Sequence, residues 1–370
     1  MQKDISGTEG IRPEDRARLA EAGLELDALN RCGSFFQIDQ KIVHTSCMEE
    51  GIEMYPIAEA LRRFSWMGEY AWNLVSRDKD DITRYVAAQE EPKGYVIIAR
   101  KGSRNVMPLQ ACLFLEHVPI QHVHNIIIAE EGAELHLITG CASSHRTDIG
   151  AHYGVTEFYV GKNARITTTM IHKWGEQIDV FPRSAARVEE GGTFLSNYIA
   201  MSPVKHVQMY PVADLAGRGA VARFHSIVVA PAGSHLDLGS RVLLSAPETN
   251  AEIISRSITR GGTVIARSHI RGGTEETRGH IECKGLILED GIIHAIPEIE
   301  GRVTGTELSH EAAVGKIARD EIEYLMARGL DEEEATATII RGFLDVRIAG
   351  LPAVLQKQID AAIDAAEQGF

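Results

Sequence analysis

The chain has 370 residues, with 38 Lys and Arg against 52 Asp and Glu, a formal net charge of −14. That balance argues against a broad nucleic-acid footprint and against attraction to an anionic membrane surface, and no apolar run of about 18 residues offers a transmembrane helix. The five widely spaced cysteines do not form a disulfide framework. Met1 to Ser6 lack the apolar core of a signal peptide, so the expectation is a cytoplasmic protein with reduced thiols.

The first 92 residues read as a helical region. Pro13, followed by Glu14 and Asp15, suits the start of a helix over 12–29. Pro56 opens a second over 56–76, with Ile57, Ala60, Leu61 and Phe64 at helical spacing. Asp80-Asp81 caps a third that runs to about Gln89. Glu91-Pro92-Lys93-Gly94 then breaks the pattern.

Residues 93–308 read as strand. A unit of apolar, two residues, Gly/Asn/Asp, small, one residue, apolar recurs, with Gly132, Asn163, Gly191, Gly233, Gly261 and Asp290 at its fourth position. Those residue types tolerate a left-handed backbone in a tight turn. A near-constant spacing of such units predicts stacked rungs, because one unit cannot bury its own apolar face. The longer step from Gly191 to Gly233 predicts an insertion around 202–219. A parallel β-helix fits this period better than an antiparallel sandwich, and no helical stretch between units supports a βαβ sheet.

Residues 309–370 read as helical. Gly329 closes one helix, Asp331 with Glu334 opens the next, Ala335, Ile339, Phe343 and Val346 line one face of it, and a third helix covers 352–367. As structure alone, such a tail caps the end of a solenoid.

Chemistry concentrates between His280 and Glu311. Cys283 alternates with Ile281, Gly285 and Ile287 on one strand face, as a small core thiol would. The alternative is a working thiolate. Glu311 follows Cys283 by 28 residues, so stacked rungs would bring His310 and Glu311 to it, a thiolate, imidazole and carboxylate set suited to iron. A nearby cationic His or Lys would also lower the thiol pKa. Cys141 is either a packed thiol or a sulfur-accepting nucleophile at an accessible turn. Cys32, Cys47 and Cys112 read as structural, as do His136, His145, His152 and His172. His117, His122 and His124 form a possible metal cluster, which would suit a β-helix metalloenzyme. No phosphate loop is present: Gly315-Lys316 lacks the spacing and the following Ser or Thr. Any ATP chemistry would come from another chain.

Three segments carry a resemblance. Ser309-His310-Glu311-Ala312-Ala313-Val314-Gly315-Lys316-Ile317, with Tyr324 to Leu330 and Ile340 to Leu344, resembles the C-terminal signature of the SufB/SufD family. Arg278 to Cys283 and Ile138-Thr139-Gly140-Cys141 resemble it too. The family implies a mainly β fold, a right-handed parallel β-helix flanked by helical domains. It implies a scaffold, rather than an enzyme, for iron–sulfur cluster assembly. Its partners would be a SufC-like ABC-type ATPase docked on the C-terminal helices, a second copy or a SufD-like paralogue, a sulfur donor and recipient apo-proteins. By the same resemblance Cys141 matches the cysteine that receives sulfur before it moves through the β-helix interior. Cys283, Glu311 and His310 match the site of the nascent, transient iron–sulfur cluster. Ser-His-Glu-Ala combines features of the SufB and SufD branches, and the Cys-x-x-Cys of long SufB members is absent. Both features point to a compact homodimeric form. A cluster-free regulator of the ATPase is the remaining alternative.

Overall fold

A computed structural model describes residues 8, 10–26, 30–147 and 149–344. The chain is mainly β and winds as a solenoid of about eight turns, with helices at both ends. Each turn contributes to two ten-stranded sheets. The first sheet runs from the hairpin Gly33–Ile38 and Lys41–Cys47, through Leu109–Leu115, to Glu307–Gly315. The second runs from Ile52–Pro56, through Tyr95–Ala99, to Ile292–Gly301. Pairing is antiparallel in the opening hairpin and between Ile52–Pro56 and Tyr95–Ala99. Beyond these, successive rungs pair in parallel, which excludes the sandwich. Among the described residues no helix is long and apolar enough to cross a membrane.

The core is the inside of the coil. Alternate side chains of each strand point inward, and parallel stacking sets like on like from rung to rung. One inward column reads Leu135, Ile166, Phe194, Ala222, Ala251, Gly279, Leu308. Gly279 has no room for a side chain, since a Cβ there would lie 2.7 Å from Ile270 and 2.8 Å from Leu308.

The turn residues belong to two corners rather than one. Left-handed residues stack at one corner as Gly102, Gly132, Asn163, Gly191, Gly219, Glu248, Glu276 and Gly305. The Gly191 N–H donates to the Arg218 carbonyl, and that of Gly219 to the Pro247 carbonyl. Gly233, Gly261 and Glu289 form the other corner, where Glu289 and not Asp290 takes the left-handed conformation. No insertion is therefore present at 202–219: Gly191 to Gly233 is a rung and a half. That rung's strand is split instead into His206–Met209 and Val212–Leu215, separated at Pro211, which has no N–H for the ladder.

The N-terminal stretch is less helical than its sequence pattern predicts. Pro13–Glu21 is helical but stops before Gly23, whose φ is +79°. Gly33-Ser-Phe-Phe-Gln-Ile is a strand with Phe35 and Phe36 buried, and it starts the first sheet. The 56–76 helix divides into Ile57–Arg63 and a 3-10 turn at Ser65–Glu69, because Phe64 adopts an extended backbone. Asp80 does cap Asp81–Ala87, exchanging hydrogen bonds with Thr83.

At the other end, strand Glu307–Gly315 carries the sheet past residue 309 before the helices Arg319–Met326 and Glu332–Leu344 begin. Gly329, with φ +103°, lies between them, and Asp331 and Glu334 hydrogen-bond each other's N–H groups. The second helix does not cap the coil. It lays Ile340 and Leu344 against Ile227, Ile258 and Leu286 on the outer face of the first sheet. Its buried face is Ala335, Ile340 and Leu344, with Ile339 and Phe343 only half-buried beside it. Val346 and the 352–367 helix lie outside the described residues.

Candidate functional site

Strand Arg278–Leu288 alternates faces, and Ile281, Cys283 and Gly285 are buried inward. The Cys283 thiol is 2 % exposed and lies 3.7 Å from the Ser268 hydroxyl. Burial pushes its pKa up, against the smaller opposing effects of Ser268 and Arg256. Lys284 does not act as the thiol's activating cation: alternation turns it to the other face. There its ammonium lies 3.4 Å from Glu282 and 3.6 Å from Glu311.

The register between the last two strands of this sheet separates the expected ligands. Cys283 pairs with Ala312, Ile281 with His310, and Glu282 with Glu311. His310 therefore shares the inward-facing parity of Cys283, at the exposed last rung, whereas Glu311 stands on the outer face. The reason is one residue. This rung takes 29 residues, where the preceding Ser255–Cys283 step takes 28, and a shift of one reverses the face of every side chain.

Glu311 gathers different companions. His280, Glu282 and Glu311 bring their ligand atoms within 4.8 Å of one another, the one such group among the described residues. His280 Nδ1 lies 2.9 Å from the Ser309 hydroxyl, and Arg256 pairs with Glu282. Hydrogen bonding from Arg256 and the nearby charges of Arg256 and Lys284 hold the Glu282 carboxyl below its ordinary range although burial opposes this. Sequence reasoning named no role for His280 or Glu282. Period-2 alternation alone sets both on one face, and the 29-residue register adds Glu311.

Cys141 is not at an accessible turn. It lies within strand Glu134–Ser143 and is 1 % exposed, and burial pushes its thiol pKa far up. It stacks between Leu113 and His172. Its column continues through Ala200, Val228 and Ser257 to Gly285. The neighbouring column, two residues away, reads Thr139, Met170, Tyr198, Ser226, Ser255, Cys283. The two cysteines thus face the same interior, five strand steps apart, about 24 Å at the usual strand spacing. Hydroxyls and an imidazole line the route: the Tyr198 hydroxyl lies 3.0 Å from His172 Nδ1. A cavity of about 30 Å³ between the cysteines is lined by Ser196, Tyr198, Ser240, Ser255 and Ser268 among others, room for about a single water.

Of the three histidines expected as a metal cluster, His122 and His124 line one cavity and His117 is not part of its lining. His117 is exposed, with Asp39 and Glu116 beside it. His122 lies 3.1 Å from the Gln40 side-chain amide. His124 Nε2 lies 2.8 Å from the buried Glu157 carboxylate, which also accepts the N–H groups of Trp72, Leu74 and Val75. Glu157 holds the 72–75 loop to the coil, a structural role signalled only by a lone acid in an apolar strand. Cys32, Cys47 and Cys112 are free thiols whose pKa values burial raises. His136, His145, His152 and His172 each meet a protein partner, Glu134, Asp15, Gln121 and Tyr198 respectively.

The profile of "SUF system FeS cluster assembly, SufBD core domain" matches residues 114–343. An iron-sulfur cluster assembly SufBD family protein of Archaeoglobus fulgidus is 48% identical over 369 residues, spanning 100% of this chain and 99% of the relative. One of Methanothermobacter thermautotrophicus is 42% identical, spanning 100% of this chain and 91% of the relative. Iron-sulfur cluster assembly protein SufB of Bacillus subtilis is 31% identical over 70% of this chain and 57% of its own length. The match spans most of the coil, including both inward-facing cysteines and the last rung, and the chain belongs to the SufBD family of iron–sulfur cluster assembly.

Proposed function

We propose that this protein is a scaffold on which an iron–sulfur cluster is built, with Cys141 as sulfur acceptor and Cys283 as the assembly point. One observation carries the reading. Cys141 and Cys283 face one interior in adjacent columns, and the residues between them supply hydroxyls and an imidazole rather than an unbroken hydrocarbon wall. Cys141 takes the outer sulfur of a donor persulfide, releasing the donor thiol. Opening of the coil or a small thiol carrier brings that sulfur to Cys283 by the same exchange, which frees the Cys141 thiol, and a two-electron reductant converts it to cluster sulfide. His310 shares the inner face at the last rung, and Glu311 stands on the outer face of the same strand. A second copy docked on the last rung, or a one-residue slip of strand 307–315, brings Glu311 to the thiol.

Both thiols are buried, so Cys283 becomes accessible only when the last rungs open and Cys141 only when the coil around strand Glu134–Ser143 loosens. That opening is the part we assign to a SufC-like ABC-type ATPase, because a partner can only bias a conformational equilibrium the protein already has. The helix Arg319–Met326 fits the docking role: it buries none of its residues, and Tyr324 and Met326 are exposed on it. The sulfur donor and the recipient apo-proteins are the remaining partners, and cytoplasmic location suits the reduced thiols.

Anaerobic reconstitution with iron and sulfide tests the assignment. Wild type should develop cluster absorbance that Cys283→Ser loses, while Cys141→Ser should form cluster from free sulfide but not from a protein persulfide donor. Equal cluster absorbance in wild type and Cys283→Ser would remove Cys283 from the mechanism. Of the other readings, the metalloenzyme is less well supported, because His117 does not join His122 and His124 in a three-ligand group among the described residues.

A further inference from the structure

The outer face of the last two rungs carries a ligand set of which the cysteine chemistry calls on Glu311 alone, and then only when the last rung moves. His280 and Glu282 are two apart on one strand and Glu311 stacks on Glu282, so three side chains from a parallel strand pair converge on one point. We propose that His280, Glu282 and Glu311 form a capture site for a divalent first-row metal ion, iron(II) in the cell, on the face of the sheet opposite the Cys283 thiol.

Three features support this. The donor set is one imidazole nitrogen and two carboxylates, which suits iron(II) and its neighbours and lacks the sulfur that would select copper(I). Ser309 lies on the next rung, stacked on His280, with its hydroxyl 2.9 Å from Nδ1. An Nδ1–H donated there leaves the Nε2 lone pair for the metal, the arrangement by which ligating histidines are oriented. Lys284 already places a cation by both carboxylates, at 3.4 Å from Glu282 and 3.6 Å from Glu311. A positive charge is therefore stabilised at this position, and the lysine, on a flexible stem, is the group a metal ion displaces. Arg256 stays paired with Glu282 and fixes that carboxylate.

The inference builds on the scaffold reading, for which it supplies an iron-loading point one residue away from Cys283 in the chain. Its test is independent of cluster formation. Cobalt(II), added alone to the untagged, full-length apo-protein without oxygen, reports binding through its visible absorption. Wild type and Cys283→Ser should bind it equally. His280→Ala and Glu282→Gln should weaken binding at least tenfold, and Ser309→Ala should weaken it on the order of tenfold, as loss of an orienting partner does. Lys284→Met should tighten binding, an effect that general destabilisation cannot imitate. Unchanged affinity in His280→Ala and Glu282→Gln, or loss of binding in Cys283→Ser, overturns the capture site. The scaffold reading fails on a different result, undiminished cluster assembly in Cys283→Ser.

Discussion

His152 and His172 show how single residues record the interior of the coil. Burial lowers both imidazole pKa values to about 3, with His122 and His152 respectively adding a smaller effect. An unfolded chain binds protons at these histidines below the ordinary value of 6.5, and the folded chain does not. Their contribution to stability is therefore complete above about pH 6.5 and is lost as pH falls towards about 3, with a slope of up to about 1.4 kcal/mol per pH unit for each histidine. The midpoint of urea unfolding should fall between pH 7.5 and pH 5, and replacement of both histidines by Gln should reduce that fall. An identical fall in the double variant would show that other groups set the acid limit. His172 also stacks on Cys141, whose thiol at 1 % exposure is shielded from solvent.

At the scale of elements, the C-terminal helix Glu332–Leu344 is fastened to the sheet through few contacts, mainly Ala335, Ile340 and Leu344. Ile340→Ala removes the central one, and truncations of this kind cost about 2–5 kcal/mol. The loss should appear as local detachment: faster hydrogen exchange over 319–344, with protection of the coil strands unchanged. Uniformly faster exchange would mean that the helix and coil unfold together. The helix also separates what patterning can reach from what it cannot. Its capping residues Asp331 and Glu334 and the Gly329 stop are local signals, and all three act as their types require. The face it buries is set by the position of Ile258 and Leu286 on another element, so the real contact falls on Ile340 and Leu344 and leaves Ile339 and Phe343 at its margin.

For the whole molecule, the coil's two ends are unlike. The first rungs are covered by the antiparallel strands Lys41–Cys47 and Ile52–Pro56. The last strands, Ile292–Gly301 and Glu307–Gly315, have no further strand beyond them among the described residues, and Ile292, Ile299 and Val314 are exposed there. An open sheet edge with apolar side chains is a template for another chain. We expect a homodimer joined at this end, which would bring the two last rungs together. Light scattering should give the mass of two chains, and Val314→Asp with Ile299→Lys should give one. A monomeric wild type would leave Cys283 and Glu311 to meet by movement within a single chain.

The β-helix and the inward parity of Cys283 were legible because alternation and repeat length are local properties written into each strand. Short signals also located the Asp80 cap and the turns at Gly132, Asn163 and Gly191. The Phe35-Phe36 strand escaped because nothing near it in sequence shows that it pairs with Leu109–Leu115. The relation of Glu311 to Cys283 was beyond the repeat for a sharper reason. Parallel register depends on how many residues each corner consumes, and from Leu109–Leu115 onward the parallel steps of the first sheet vary from 28 to 31 residues. One residue decides between inside and outside, so only the tertiary structure could place the thiol on one face and the carboxylate, with His280 and Glu282, on the other.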